Sequence, residues 1–137
     1  VQAALEQLLK AGPDDPGLSN ALGFTLADHN RSLDRAERLI RDALKVSPDN
    51  PAILDSLGWV LYRRGRVAEA LPHLETAWRN GRDPEIGAHL GEVLWRRGEE
   101  GRALFVWAQA LHRDPQNALV AATRDRLTGA TAPARGR

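Results

Sequence analysis

Residues 54–71 read LDSLGWVLYRRGRVAEAL, and residues 88–104 read AHLGEVLWRRGEEGRAL. Aligned on Leu57-Gly58 and Leu90-Gly91, 33 residues apart, they share apolar positions, an arginine pair and a glycine. A weaker version of the same phrase surrounds Leu22-Gly23. A unit repeated at fixed spacing marks a repeat architecture, in which each unit buries its apolar face on the next.

The helix starts repeat as well. Asp15-Pro16, Asn50-Pro51 and Asp83-Pro84 lie 35 and 33 residues apart, and a fourth start near Asn117-Ala118 comes 34 later. Asp or Asn at an N-cap accepts hydrogen bonds from otherwise unpaired amides, and proline suits the first helical position. Each first helix then runs through its Leu-Gly pair to a turn at Asn30, Gly65 or Gly98. A glycine inside a helix costs about 1 kcal/mol. Three at one phase therefore predict a neighbouring helix too close for a Cβ. The second helices carry Ala36, Ala70 and Ala103 toward their partners, with Ala43, Ala77 and Ala110 seven residues on, back on the same face. Pro48 and Pro115 close two of the units, and Gly81-Arg82 stands in the middle one. Pro72 falls about a turn into a second helix, where it removes one hydrogen bond or bends the helix.

With these positions the chain resembles a tetratricopeptide repeat (TPR) protein, with repeats at 16–50, 51–83 and 84–117. Residues 1–12 resemble the second helix of a truncated preceding repeat, and 117–128 a terminal capping helix. With no methionine and a start in mid-helix at Val1, the chain reads as a fragment of a longer protein. Its 19 basic residues include only two lysines, Lys10 and Lys45, a skew expected of a GC-rich bacterial genome. The resemblance implies an all-α fold, a right-handed α-solenoid of stacked antiparallel helix pairs. The tail 129–137, GATAPARGR, has no apolar periodicity and is expected to be disordered.

More narrowly, NALGFTLAD (20–28), ILDSLGWVLYRRG (53–65) and HLGEVLWRRG (89–98) are similar to the C-terminal repeats of proteobacterial TPR proteins. Some of those are outer-membrane lipoproteins that act as adaptors for a periplasmic C-terminal processing protease. That resemblance implies a protein partner and a periplasmic or outer-membrane-associated setting, with a cytoplasmic one as the alternative.

In a TPR array the first helices line a concave groove. The resemblance therefore puts Asn20, Phe24, Ala27 and Asp28 in the groove from the first repeat, and Asp55, Ser56, Trp59, Tyr62 and Arg63 from the second. The third contributes His89, Glu92, Trp95 and Arg96. Aromatic anchors edged by charge suit an extended peptide or an amphipathic helix. Trp59 is expected to present an open ring, while Leu57, Val60 and Leu61 supply the core face. Trp95 and Tyr62 sit where bulky residues also pack between helices, and Trp78 and Trp107, on second helices, are expected to pack. Chaperone-binding TPR domains clamp a terminal carboxylate with Lys and Asn. Here the Asn positions hold Phe24, Trp59 and Glu92, and the Lys positions Asn20, Asp55 and Ala88, which argues against a chaperone tail. Arg63, Arg64 and Arg66, followed one repeat on by Arg96 and Arg97, form a basic ridge. It reads either as turn arginines balanced by Glu69, Glu99 and Glu100 or as a dock for an acidic loop.

Other classes are disfavoured. The net charge of +1 and pI near 8.5 give little footing for nucleic acid, and no apolar run approaches the roughly 20 residues of a membrane span. No cysteine is present, so there is no disulfide or thiolate metal site. The four histidines, His29, His73, His89 and His112, lack paired metal spacing, and no cofactor motif occurs. Asp55, Ser56 and His89 make only a superficial triad, because adjacent helical residues diverge by about 100° and no oxyanion hole is indicated. The expectation is a non-catalytic protein–protein interaction scaffold. The alternative is a structural segment that extends, caps or self-associates a longer solenoid, including dimerisation through the apolar edge of Val1, Leu5, Leu8 and Leu9.

Overall fold

A computed structural model describes residues 1–129, so the expectation for the tail lies, apart from Gly129, outside the described residues. Eight helices and no strand occur among the described residues. They are α1 (Gln2–Ala11), α2 (Pro16–Asp28), α3 (Leu33–Val46), α4 (Pro51–Arg63), α5 (Val67–Arg79), α6 (Pro84–Arg96), α7 (Glu100–Arg113) and α8 (Ala118–Thr128). None is long and apolar enough to cross a membrane. The chain divides into two compact units, Val1–Asn80 and Gly81–Arg137.

The predicted starts are the observed ones. The carboxylate or amide oxygens of Asp15, Asn50, Asp83 and Asn117 accept from Leu18 N, Ala52 and Ile53 N, Glu85 N and Val120 N. The predicted turns are left-handed, with φ of 55° at Asn30, 83° at Gly65 and 87° at Gly98. That conformation admits glycine and asparagine at least strain. Pro72 is exposed, and α5 continues through it to Arg79.

In the first unit α2 pairs with α3 and α4 with α5, while α2 also meets α4 and α3 meets α4. Its core is built from Leu22, Leu26, Ile40, Leu57, Val60 and Leu61. A Cβ on Gly23 would lie 2.6 Å from Ile40 Cγ1, and one on Gly58 would lie 2.5 Å from Leu74 Cγ. Helix α1 buries Leu5 and Leu9 partly against this core and leaves Val1 and Leu8 exposed. A two-pronged ion pair ties α1 down: Arg35 of α3 donates to both Glu6 carboxylate oxygens at 2.8 Å.

In the second unit α6 pairs with α7, and α8 packs on both. A Cβ on Gly91 would collide with the indole of Trp107, which is fully buried and donates to Ala88 O at 3.4 Å. Trp107 here and Trp78 on α5 of the first unit are both buried, as expected of second-helix residues. One period past Leu90-Gly91, α8 carries Arg124-Asp125, an adjacent ion pair at 2.9 Å. Charge thus replaces the surface on which the other first helices receive a partner.

Gly91→Ala should lower the melting temperature. Overpacking costs about 1–3 kcal/mol against roughly 1 kcal/mol gained in helix propensity, and the buried Trp107 ring has no room to swing aside. Gly101→Ala, where a Cβ meets nothing within 4 Å, should instead stabilise by about 0.4–1 kcal/mol. Thermal melts followed by circular dichroism check both signs.

The ion pair sets a pH window for α1. The Arg35 hydrogen bonds hold the Glu6 carboxyl down, from 4.5 to about 2. A depressed folded pKa gives stability that is present above about 4.5 and is lost as pH falls toward 2. Amide exchange of α1 should therefore quicken across that interval relative to α4, and Arg35→Gln should weaken the pH dependence.

Candidate protein-docking surface

The face of α2 and α4 in the first unit carries most of the expected groove residues, and the structure gives several of them other work. Trp59 is only 5% exposed, so the expectation of an open ring is corrected. Its indole N–H donates to Asp28 Oδ1 at 3.3 Å, its ring lies 5.2 Å from that of Tyr62, and the Arg63 guanidinium stands 5.6 Å above it. Arg63 donates from Nε to Ala27 O at 3.2 Å and from Nη2 to Asp28 O at 2.7 Å. A cation thus meets the last carbonyls and the partial negative charge at the end of α2. Trp59, Asp28 and Arg63 therefore join the two first helices, and the partner-orienting role expected of Arg63 gives way to this one.

Asp55 and Ser56 are buried as well, and Ser56 Oγ donates to Ala52 O at 3.0 Å. The hydroxyl is engaged with its own helix, which removes it from the superficial triad. Phe24 and Tyr62 are half-buried and pack on the same core as Trp59, leaving ring surface outward. Asn20 is half-buried too, and its amide oxygen is buried without a hydrogen-bond partner. Asp28 is exposed despite its bond to Trp59.

In the second unit His89 and Glu92 are buried, Trp95 is half-buried and Arg96 is exposed. Trp95 packs on Trp107 with ring centroids 5.9 Å apart. Glu92, expected to face a ligand, accepts from Arg126 of α8 at 2.6 Å. Arg126 was not foreseen, although it stands 34 residues after Glu92, at the same phase one period on.

Three of the ridge arginines, Arg64, Arg66 and Arg97, are engaged by carboxylates. Arg64 and Arg66 reach one Glu37 oxygen at 3.0 and 3.1 Å, and Arg41 reaches the other at 2.8 Å. Burial pushes the Glu37 carboxyl up, but hydrogen bonding from Arg41 and the charges of Arg41, Arg64 and Arg66 outweigh it and hold the group below its ordinary range. Glu69 adds a contact to Arg66 at 3.5 Å, and Glu99 one to Arg97 at 3.3 Å. The balancing by Glu69 and Glu99 is as expected. Glu37, the strongest partner, lies on α3 and was missed.

The tetratricopeptide repeat profile matches residues 2–51, 24–84 and 56–118. A TPR repeat-containing protein of Pseudomonas aeruginosa is 46% identical over 121 residues, covering 88% of this chain and 20% of that protein. The chain thus spans about a fifth of the length of that curated relative. Among solved structures, a thermophilic TPR protein of Thermus thermophilus superposes with a TM-score of 0.76 at 22% identity, over 94% of this chain and 70% of that one. The human IFIT1 dimer with m7Gppp-AAAA gives 0.79 at 20% identity, over 94% of this chain and 30% of that one. These structures share the fold. Overlapping profile matches from residue 2 to 118, on helix pairs closed over their glycines, leave one assignment: the chain belongs to the tetratricopeptide repeat family.

Proposed function

We propose that the chain is a non-catalytic adaptor segment that docks a segment of a partner protein on the α2–α4 face of its first unit. The observation that carries this is the two half-buried rings Phe24 of α2 and Tyr62 of α4, both packed on the core of the unit whose first helices the Trp59–Asp28–Arg63 lock joins. Rings held in place lose little entropy on binding and serve as anchors. TPR repeats generally mediate protein–protein interaction, which supports the class of partner. The similarity to envelope TPR lipoproteins makes a periplasmic C-terminal processing protease the first partner to try.

Trp59→Ala is a poor test, because it empties buried volume at a cost of about 3–5 kcal/mol and would confuse unfolding with lost binding. A photo-crosslinking phenylalanine analogue at position 24 or 62, expressed in the source cells, is cleaner. It should give one discrete adduct that is absent when the analogue replaces the exposed Arg79 of α5. Adducts equal at all three positions, or none at 24 and 62, would sink the docking face.

A second reading, that the segment ends a stack of helix pairs, is favoured by Arg124-Asp125 on α8. Restoring the Leu-Gly phrase with Arg124→Leu and Asp125→Gly should expose a helix-receiving surface. Sedimentation should then show self-association rising with concentration, while an unchanged sedimentation coefficient counts against the capping role.

A further inference from the structure

At the other end of α2, about 20 Å from Asp28 by helix length, the first unit holds a cavity of about 350 Å³. It opens between the start of α2 and the last turns of α3. Its walls are mainly apolar, from Pro13, Pro16, Leu39, Ala43 and Val46, and Val46 is 63% exposed. Around it stand Asp14, Asp15 and Asp42, all exposed.

We propose that this cavity receives an arginine side chain from a protein partner, at a site separate from the aromatic face. The aliphatic stem of arginine would cover Val46 and Leu39, an arrangement long cationic side chains adopt on apolar surface. Its guanidinium would then lie among three carboxylates, for which its planar set of donors is suited.

The charges already present leave room for it. Asp15 accepts from Leu18 N through Oδ1, which answers the positive end of α2 and leaves Oδ2. Asp42 meets Lys45 at 3.6 Å, but both side chains are largely exposed and such a pair is worth little. The carbonyl end of α3 adds partial negative charge on the same side. A metal ion is a poorer occupant, because among the described residues no three of His, Cys, Asp or Glu converge to hold one. Carboxylates spread around an apolar trough suit a broad cation on a stem.

The test is a titration of the ¹⁵N-labelled 137-residue chain with N-acetyl-arginine methylamide, beside its neutral citrulline analogue. Amide shifts should saturate for the arginine compound and centre on residues 13–19 and 39–46. The citrulline compound should produce none there. Asp14→Asn with Asp42→Asn should weaken binding at least fivefold, while Lys45→Ala, which removes the competing ammonium, should tighten it. Equal shifts from both compounds, shifts scattered over every acidic surface residue, or Asn variants that bind like the wild type would each overturn the proposal. So would calcium chloride shifting the same amides at lower concentration.

Discussion

The structure depends on helices brought closer than a side chain allows. Ile40, Leu74 and Trp107 each rest on a bare glycine backbone of the helix before them. Each glycine costs about 1 kcal/mol in its helix, whereas fully burying a side chain such as leucine returns about 1.5–3 kcal/mol. The contact therefore wins, and wins by more as the seated side chain grows from Ile and Leu to Trp. Because each glycine sits mid-way along its helix, the contact also fixes the pair's register. Alanine at 36, 70 and 103 lets the same two backbones stay close one turn away.

Once the pairs are set, the first helices must be joined to one another, and here the structure uses polar groups. Arg63 carries two donors to the last carbonyls of α2, those of Ala27 and Asp28, and Trp59 reaches the Asp28 carboxylate. Hydrogen bonds to charged groups contribute about 1.5–3 kcal/mol each, against about 1 for neutral ones. A lock of this kind is therefore worth as much as a buried aliphatic side chain. Glu92 and Arg126 do the corresponding work between α6 and α8. Removing Arg126 would take a charged partner from a buried carboxylate, a more costly change than losing an exposed pair.

The division between local and non-local chemistry explains what the sequence discloses. Asp15, Asn50 and Asp83 cap helices within three residues of themselves, so their roles are written in short strings. Gly23, Gly58 and Gly91 are legible for a different reason: a penalty repeated at one phase needs a cause. The site is harder. Trp59 stands at a groove position in the repeat, but whether its ring opens to solvent is decided by Asp28 and Arg63, 31 residues before it and 4 after. Glu37 is ordinary in its own helix and becomes central only because the α4–α5 turn lays Arg64 and Arg66 across it. Periodicity offered one usable hint, since Arg126 repeats the phase of Glu92.

These pairings also constrain how a partner gains affinity. A ligand charge approaching Arg63, Glu92 or Arg64 meets a group already bonded, so it must share or break an existing contact and gains little net energy. The aromatic face is different, because covering the outer surfaces of Phe24 and Tyr62 removes apolar area from water without disturbing the lock beneath. Binding energy on the α2–α4 face should therefore come mainly from ring burial. Direction would then be set by the exposed Asp28 carboxylate, which keeps accepting capacity beyond its bond to Trp59. On this view the hydrogen bonds of Trp59 and Arg63 hold the anchors in place, and stability and recognition draw on different atoms of the same two helices.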